Sequence, residues 1–256
     1  LAGLHGYEVT LTTRLQEAMM TTLLQITDTH VPLDADKRAH RNFLKQIEFV
    51  RHYKPNILVI SGDLPAEDGS KEIYSLMAQA LPVEQEVVII PGNHDKPEML
   101  YEVFGKERCK TPSFCHVVPL PDIDLVFVDS SSGTLSISQQ QTLQGVRSES
   151  ILFIHHPTKK LSNGFMDTNY PLQNLSEVDA AIRRSPIAQV FCGHFHCEHT
   201  VVDEYALHVT PSAAFRVGLN EAEINVSYGG IPLREIIVDG TSVSTQVIDI
   251  EKTAGQ

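Results

Sequence analysis

Val87-Val88-Ile89-Ile90-Pro91-Gly92-Asn93-His94-Asp95 decides how this chain is read. An apolar, β-branched run meets a Pro-Gly break and then three side chains able to carry protons or bind metal. A run this short and this apolar matches a strand buried on both faces. Working outward, Ile57–Ser61 ends in Gly62-Asp63, and Leu23–Thr27 ends in Asp28-Thr29-His30. Further on, Ile151–Ile154 ends in His155-His156, and Ala188–Cys192 ends in Gly193-His194-Phe195-His196. Apolar strands with polar tips are the recurring unit.

Between the strands the period changes from two to that of a helix. A helix over about 36–53 places Phe43, Leu44, Ile47 and Val50 on one face, with Pro55 beyond its end. A second over about 70–81 carries Ile73, Leu76, Met77 and Ala80 on its inner stripe. Pro97 opens a short helix over 97–104, and another short one is expected near 138–146. Ser176 with Asp179 resembles a capping box before a helix to about Arg184. Leu125–Asp129 reads as a further strand. From about residue 200 the texture is β-rich: Leu207–Thr210, Ile224–Tyr228, Leu233–Val238 and Val243–Ile248, with a hairpin turn at Asp239-Gly240. Alternating β and α followed by β predicts an α/β sandwich of two mixed sheets in a single domain over 20–256. Residues 1–19 read as an N-terminal extension, either an expression remnant or a disordered or loosely helical segment.

Composition narrows the partners. The 256 residues carry a formal charge of −12, and no basic cluster exceeds a pair such as Lys159-Lys160, so a nucleic-acid partner is disfavoured. An acidic surface still suits a site in which bound cations supply the positive charge. No apolar run approaches the roughly 18 residues that cross a bilayer, and residues 1–19 lack the pattern of a signal peptide. Cys109, Cys115, Cys192 and Cys197 form no C-x-x-C pair and read as free thiols in a cytoplasmic protein. Cys192 and Cys197 flank the Gly193–His196 turn, where small core residues are the simpler reading than metal ligands.

The five tips make chemical sense only together. Open α/β sheets bind ligands at the carboxyl ends of their strands, so tips far apart in sequence converge on one rim. Asp28, His30, Asp63, Asn93, His155, His194 and His196 offer oxygen and imidazole donors suited to Mn, Fe or Zn. Seven ligands exceed what one ion takes and suit two, with one carboxylate shared. Gly62 and Gly92 allow sharp turns just ahead of the ligands.

In order, these blocks resemble the calcineurin-like metallophosphoesterase superfamily, whose pattern runs D-x-H, G-D, G-N-H-[DE], H and G-H-x-H. The resemblance spans Asp28 to His196. Gly92-Asn93-His94-Asp95 and His155-His156-Pro157 look like its bacterial cyclic-nucleotide phosphodiesterase and glycerophosphodiesterase branch. It implies a four-layer α/β/β/α sandwich and a phosphodiesterase acting on small diesters, cyclic nucleotides first, through a metal-bridging hydroxide. By the same resemblance Asp28, His30, Asp63 and His196 hold one metal and Asp63, Asn93, His155 and His194 the other. His94 contacts the phosphate or protonates the leaving alkoxide, and Asp95 orients His94 or closes the turn.

Other readings stay beside these. A phosphomonoesterase uses the same core, and a non-catalytic scaffold would be expected to lack ligands. His156 lies behind the ligands, faces substrate or is a plain neighbour. Asp129 reads as a turn residue, Phe195 as packing, and His40, His52, His116, His199 and His208 as surface or satisfied core histidines. The β-rich tail leaves open a homo-oligomer as well as a cap over the site.

Overall fold

The structure is a computed structural model, described here over residues 20–253, so the extension read at 1–19 lies outside the described residues. Strands β1 (Met20–Ile26), β2 (Ile57–Ser61), β3 (Glu86–Ile90), β12 (Pro232–Asp239) and β13 (Ser242–Asp249) form one sheet in the order β13-β12-β1-β2-β3. Strands β4 (His116–Pro119), β5 (Asp124–Val128), β6 (Ser150–Ile154), β7 (Ile187–Cys192), β8 (His199–Val202) and β9 (Ala206–Val209) form a second, in the order β4-β5-β6-β7-β9-β8. Both sheets are mixed. β1, β2 and β3 run parallel, as do β5, β6, β7 and β9, while the hairpin β12–β13 and the edges β4 and β8 pair antiparallel.

Register brings the tips level. Ile26 pairs with Ile60, Ser61 with Ile90, and Cys192 with Val209, so the chain leaves each parallel strand at the same rim. Alternation then sorts the second sheet into two faces. Leu125, Phe127, Ile151, Phe153 and Phe191 belong to the core shared with the first sheet. Val126, Val128, Leu152, Ile154, Val190 and Cys192 pack with Leu143, Val178 and Ile182 on the other side. Each such side chain, fully buried, contributes on the order of 1.5–3 kcal/mol.

The helices supply the outer layers. α1 (Arg38–Tyr53), α2 (Lys71–Ala80) and α3 (Pro97–Cys109) lie on the first sheet. α4 (Ile137–Gly145), α5 (Phe165–Asn169) and α6 (Leu175–Arg183) lie against the second, and α7 (Ile250–Thr253) ends the described chain. The four-layer order expected from the resemblance is the observed one.

Several local expectations change. Leu44 is 42% exposed, because the buried stripe of α1 runs through His40, Phe43, Ile47 and Val50. On α2 Ile73, Tyr74 and Met77 are buried, and Leu76 and Ala80 pack partly buried against the same core, so Tyr74 joins the expected stripe. Ser176 does not cap α6, which begins one residue earlier. Asn174 fixes that start by bonding both the N–H and the carbonyl of Leu135 (3.0 and 2.8 Å). The capping box that forms is Ser136 with Gln139, at α4. Gly105, at φ 69°, breaks α3 where the reading stopped it, and the chain resumes helix to Cys109. Ile224–Tyr228 shrinks to β11 (Val226–Ser227), paired only with β10 (Arg216–Val217) in a two-stranded ribbon.

A buried polar seam joins the sheets below the rim. Gln25 donates to Ser61 Oγ (2.7 Å) and accepts from Thr210 (2.6 Å), and Arg234 donates to Thr210 Oγ1 (2.8 Å) and the Val209 carbonyl (3.0 Å). Every member has a partner, the condition under which such a network adds specificity.

Candidate metal centre

The tips are stitched to one another by main-chain bonds. Asp28 N–H donates to the Gly62 carbonyl (2.9 Å), His30 N–H to the Asp63 carbonyl (3.1 Å), and Gly193 N–H to the His155 carbonyl (3.0 Å). Gly62, at φ 100°, leaves no room for a side chain between His155 and Gly92. Asp28, His30, Asp63, His194 and His196 all adopt left-handed backbone, with φ between 41° and 65°. Asp and His tolerate that region better than most residues, but each instance still costs about 1–3 kcal/mol. The strain turns side chains inward that a regular strand end would send outward.

Two donor groups result. Ligand atoms of Asp28, His30, Asp63 and His196 lie within 4.8 Å of one another, as do those of Asp63, His155 and His194. Asp63 belongs to both. All six residues are buried. The seventh expected ligand, Asn93, sits on the adjoining turn with its side chain exposed, and no hydrogen bond among the described residues fixes its amide. His94 follows it, half-buried, with its N–H donating to Asp63 Oδ1 (2.9 Å) and its ring edge-on to His30 at 5.0 Å.

Hydrogen bonds behind the imidazoles set which nitrogen faces inward. A carbonyl only accepts, so His155 Nδ1–H donates to Ser61 (2.9 Å), His194 Nε2–H to Tyr170 (2.9 Å) and His196 Nδ1–H to Phe215 (3.2 Å). The opposite nitrogens are thus left as lone-pair donors, the arrangement metal-binding histidines use. Asp28 is held by Thr27 Oγ1 (2.8 Å) and by the His194 N–H (2.9 and 3.1 Å).

Electrostatics fit a cation. His155 Nε2 is buried with no hydrogen-bond partner, 3.4 Å from Asp63 Oδ1 and 3.9 Å from Asp28 Oδ1. His30 Nε2 and His196 Nε2 face each other at 3.1 Å, and the bond from His196 Nδ1 to Phe215 leaves the His196 Nε2 lone pair directed at that point. Burial opposes charge on Asp28, yet His196 and His155 hold its carboxyl at about 2. Burial likewise opposes Asp63, which His155 and His30 keep well below the carboxylate range. Burial, helped by neighbouring histidines, lowers His30 and His194 to about 4, so both rings are neutral and able to ligate. Against the same burial, Asp63 and Asp28 draw His155 up to about 10. The carboxylates that favour positive charge there would favour a metal on Nε2 in the same way.

Asp95 makes no hydrogen bond to His94. Its carboxylate accepts from Gly92 N–H (2.8 Å), Leu64 N–H (3.4 Å) and the Tyr74 hydroxyl (3.0 Å), so its bonds support the turn-closing role. Burial and then repulsion by Asp63 push it up to about 7. His156 packs its ring on His194 (4.2 Å between centroids) and bonds Ser130 through Nδ1 (2.9 Å). Asp129 accepts from Ser131 N–H (2.7 Å) as a turn residue does, and Phe195 is buried in the core.

Sequence reasoning missed the braces. Ser212 donates to the Asp28 carbonyl (2.7 Å) and accepts from Ala214 N–H (2.9 Å). Phe215 lies against His196 and His30, with centroids at 4.2 and 5.4 Å. One signal was available: Leu207–Thr210 is another apolar strand whose polar tip, Pro211-Ser212, emerges at the same rim.

Fold, ligand order and clustered donor groups together define a metallophosphoesterase-type core. The chain belongs to the calcineurin-like phosphoesterase family, whose profile matches residues 21–198. Membership makes it a hydrolase of phosphoric esters. It is 32% identical to a Fibrobacter succinogenes protein named "Probable cyclic nucleotide phosphodiesterase", over 77% of this chain and 81% of that one. It is 25% identical to a glycerophosphodiester phosphodiesterase of Enterobacter lignolyticus, over 68% and 70% of the two chains. The solved structure of a dimetal phosphatase from Danio rerio superposes with a TM-score of 0.63 at 13% identity, covering 90% of this chain and 98% of that one.

Proposed function

We propose that the protein is a two-metal phosphodiesterase acting on small diesters, cyclic nucleotides foremost. The observation that carries this reading is the pair of buried donor groups sharing Asp63. Asp28, His30, Asp63 and His196 would hold one cation, and Asp63, Asn93, His155 and His194 the other. When bound, the two ions would acidify a water and offset the charge of the phosphoryl group.

The chain's own residues do the rest. His94, half-buried and fixed to Asp63 through its main chain, would give a proton to the departing alkoxide. Ser130 Oγ accepts from the His156 main-chain N–H (3.2 Å), which frees its hydroxyl hydrogen for Nδ1. With Ser130 as the donor in that contact, the ring proton would sit on Nε2, where His156 would offer a donor to the substrate. The formal charge of −12 favours a small substrate over a polyanion. Among the described residues no helix is long and apolar enough to cross a membrane, and the four unpaired thiols support a reducing, cytoplasmic setting.

The test compares bis-p-nitrophenyl phosphate, p-nitrophenyl phosphate and a 3′,5′-cyclic nucleotide with Mn²⁺-loaded protein. Faster turnover of the diesters is expected. A strong preference for the monoester overturns the diesterase reading in favour of a phosphatase on the same core.

A further inference from the structure

We infer that Tyr74 is a positioning residue, locking the turn that carries Asn93 and His94 onto the loop that carries Asp63. The inference rests on the proposed role of His94, and it arises from a phenol the ligand pattern does not include.

Tyr74 lies in the first turn of α2 with none of its surface exposed. The absence of a side chain at Gly69 leaves the space its hydroxyl fills. That hydroxyl donates to Asp95 Oδ1 (3.0 Å) and accepts from Lys96 N–H (2.9 Å). Asp95 Oδ2 accepts from Gly92 N–H (2.8 Å) and reaches Leu64 N–H (3.4 Å). One phenol and one carboxylate therefore engage three main-chain N–H groups: the residue after Asp63, the residue before Asn93 and the residue after Asp95. Gly69 N–H closes the ring by donating to the His94 carbonyl (3.1 Å).

The chemistry explains why a tyrosine serves here. A buried carboxylate beside Asp63 needs donors that stay neutral, since another charge would perturb the centre. Burial and the adjacent Asp95 keep the phenol protonated, pushing its ionisation far above the ordinary range. Phenylalanine would fill the same volume while leaving Lys96 N–H without a partner and Asp95 short of a donor. The turn would then loosen at both ends, and His94 is the group most sensitive to that, because proton transfer to a leaving oxygen demands hydrogen-bond distance.

Y74F separates this from a general loss of stability. Against a cyclic nucleotide, whose alkoxide leaving group needs a proton, kcat should fall about tenfold, in line with changes behind ligands elsewhere, with KM unchanged. Against bis-p-nitrophenyl phosphate, whose phenolate leaves unaided, kcat should hold. In the H94A background Y74F should cost nothing more. Y205F, which removes a buried phenol hydrogen-bonded to Thr158 and Asp179, is the control for generic loosening. Amide exchange in the purified protein reads the clamp without turnover: Y74F should speed exchange at Gly92 and Lys96 roughly fivefold, the value of one modest hydrogen bond, and leave His194 unchanged. Equal losses on both substrates, a further loss in H94A, or the same behaviour in Y205F would overturn the assignment. If the wild type cleaves no diester, the phosphodiesterase reading fails, and amide exchange alone decides the clamp: unchanged Gly92 and Lys96 sink it.

Discussion

The two ends of the first sheet are built on different principles. At the amino ends of β2 and β3, Arg51, Lys54, Glu84 and Glu86 border a cavity of about 620 Å³, and all four are exposed. Glu86 pairs there with Lys110 (2.9 Å), and of the four only Lys54, which ends α1, is in left-handed backbone. At the carboxyl ends, Asp28, His30 and Asp63 are buried in left-handed backbone, and their ligand atoms lie within 4.8 Å of one another and of His196. Volume is therefore a poor guide to chemistry in this molecule. Buried donors forced toward one point, at a conformational cost, are the better one.

That contrast is open to direct attack. The largest effect belongs to Asp63, which serves both donor groups: D63A should reduce turnover to background and lower metal stoichiometry, as read by elemental analysis of the purified protein. Next comes the brace at Ser212. S212A removes the bond to the Asp28 carbonyl and should weaken metal binding about tenfold, measured by competition with a chromogenic chelator. The smallest effect belongs to the far cavity. The exchanged pair K54E with E84K should leave kcat and bound metal as in the wild type, and a change in either would mean that the two ends are coupled.

Histidines sharpen the same comparison. At the rim, His155, His194 and His196 each donate to a carbonyl. On the second sheet His116, Phe127, Phe153, Phe191 and His208 stack in a continuous row with centroids 4.9–5.5 Å apart. Neither ring nitrogen of His116 has a partner among the described residues, and burial, then Lys110, lowers its pKa to about 4. An unfolded histidine titrates near 6.5. The unfolded state therefore takes up the proton first, and stability contributed above that pH is lost as pH falls from about 6.5 to about 4. H116F keeps the stack and removes that loss, so its gain in melting temperature should be larger at pH 5 than at pH 7. A gain independent of pH would reject this account.

Much of the architecture was legible because each apolar run carried its own tip. Pairing order, layers and the six clustered ligands all descend from that repeated unit. The hairpin at Asp239-Gly240 formed as its turn residues require, with Gly240 at φ 62°. What the sequence hid depends on long-range contacts. β4 and β8 are four-residue edge strands whose pairing partners, not their own pattern, define them. Asn174 sets the start of α6 through Leu135, 39 residues away, which a local capping rule cannot see. Tyr74 is absent from the stripe read on its helix, and only the fold brings it to Asp95. His116 read as an ordinary satisfied or surface histidine, whereas the structure leaves both of its nitrogens unpaired.

The central claim is that side chains from five separated segments hold two cations in contact through one carboxylate. A crystal structure of Mn²⁺-soaked protein, with the metal located by its anomalous scattering, tests this most directly. The account requires two peaks about 3.5–4 Å apart, both bonded to Asp63, with His155 and His194 on one and His30 and His196 on the other. A single peak, or two that do not share Asp63, would contradict it.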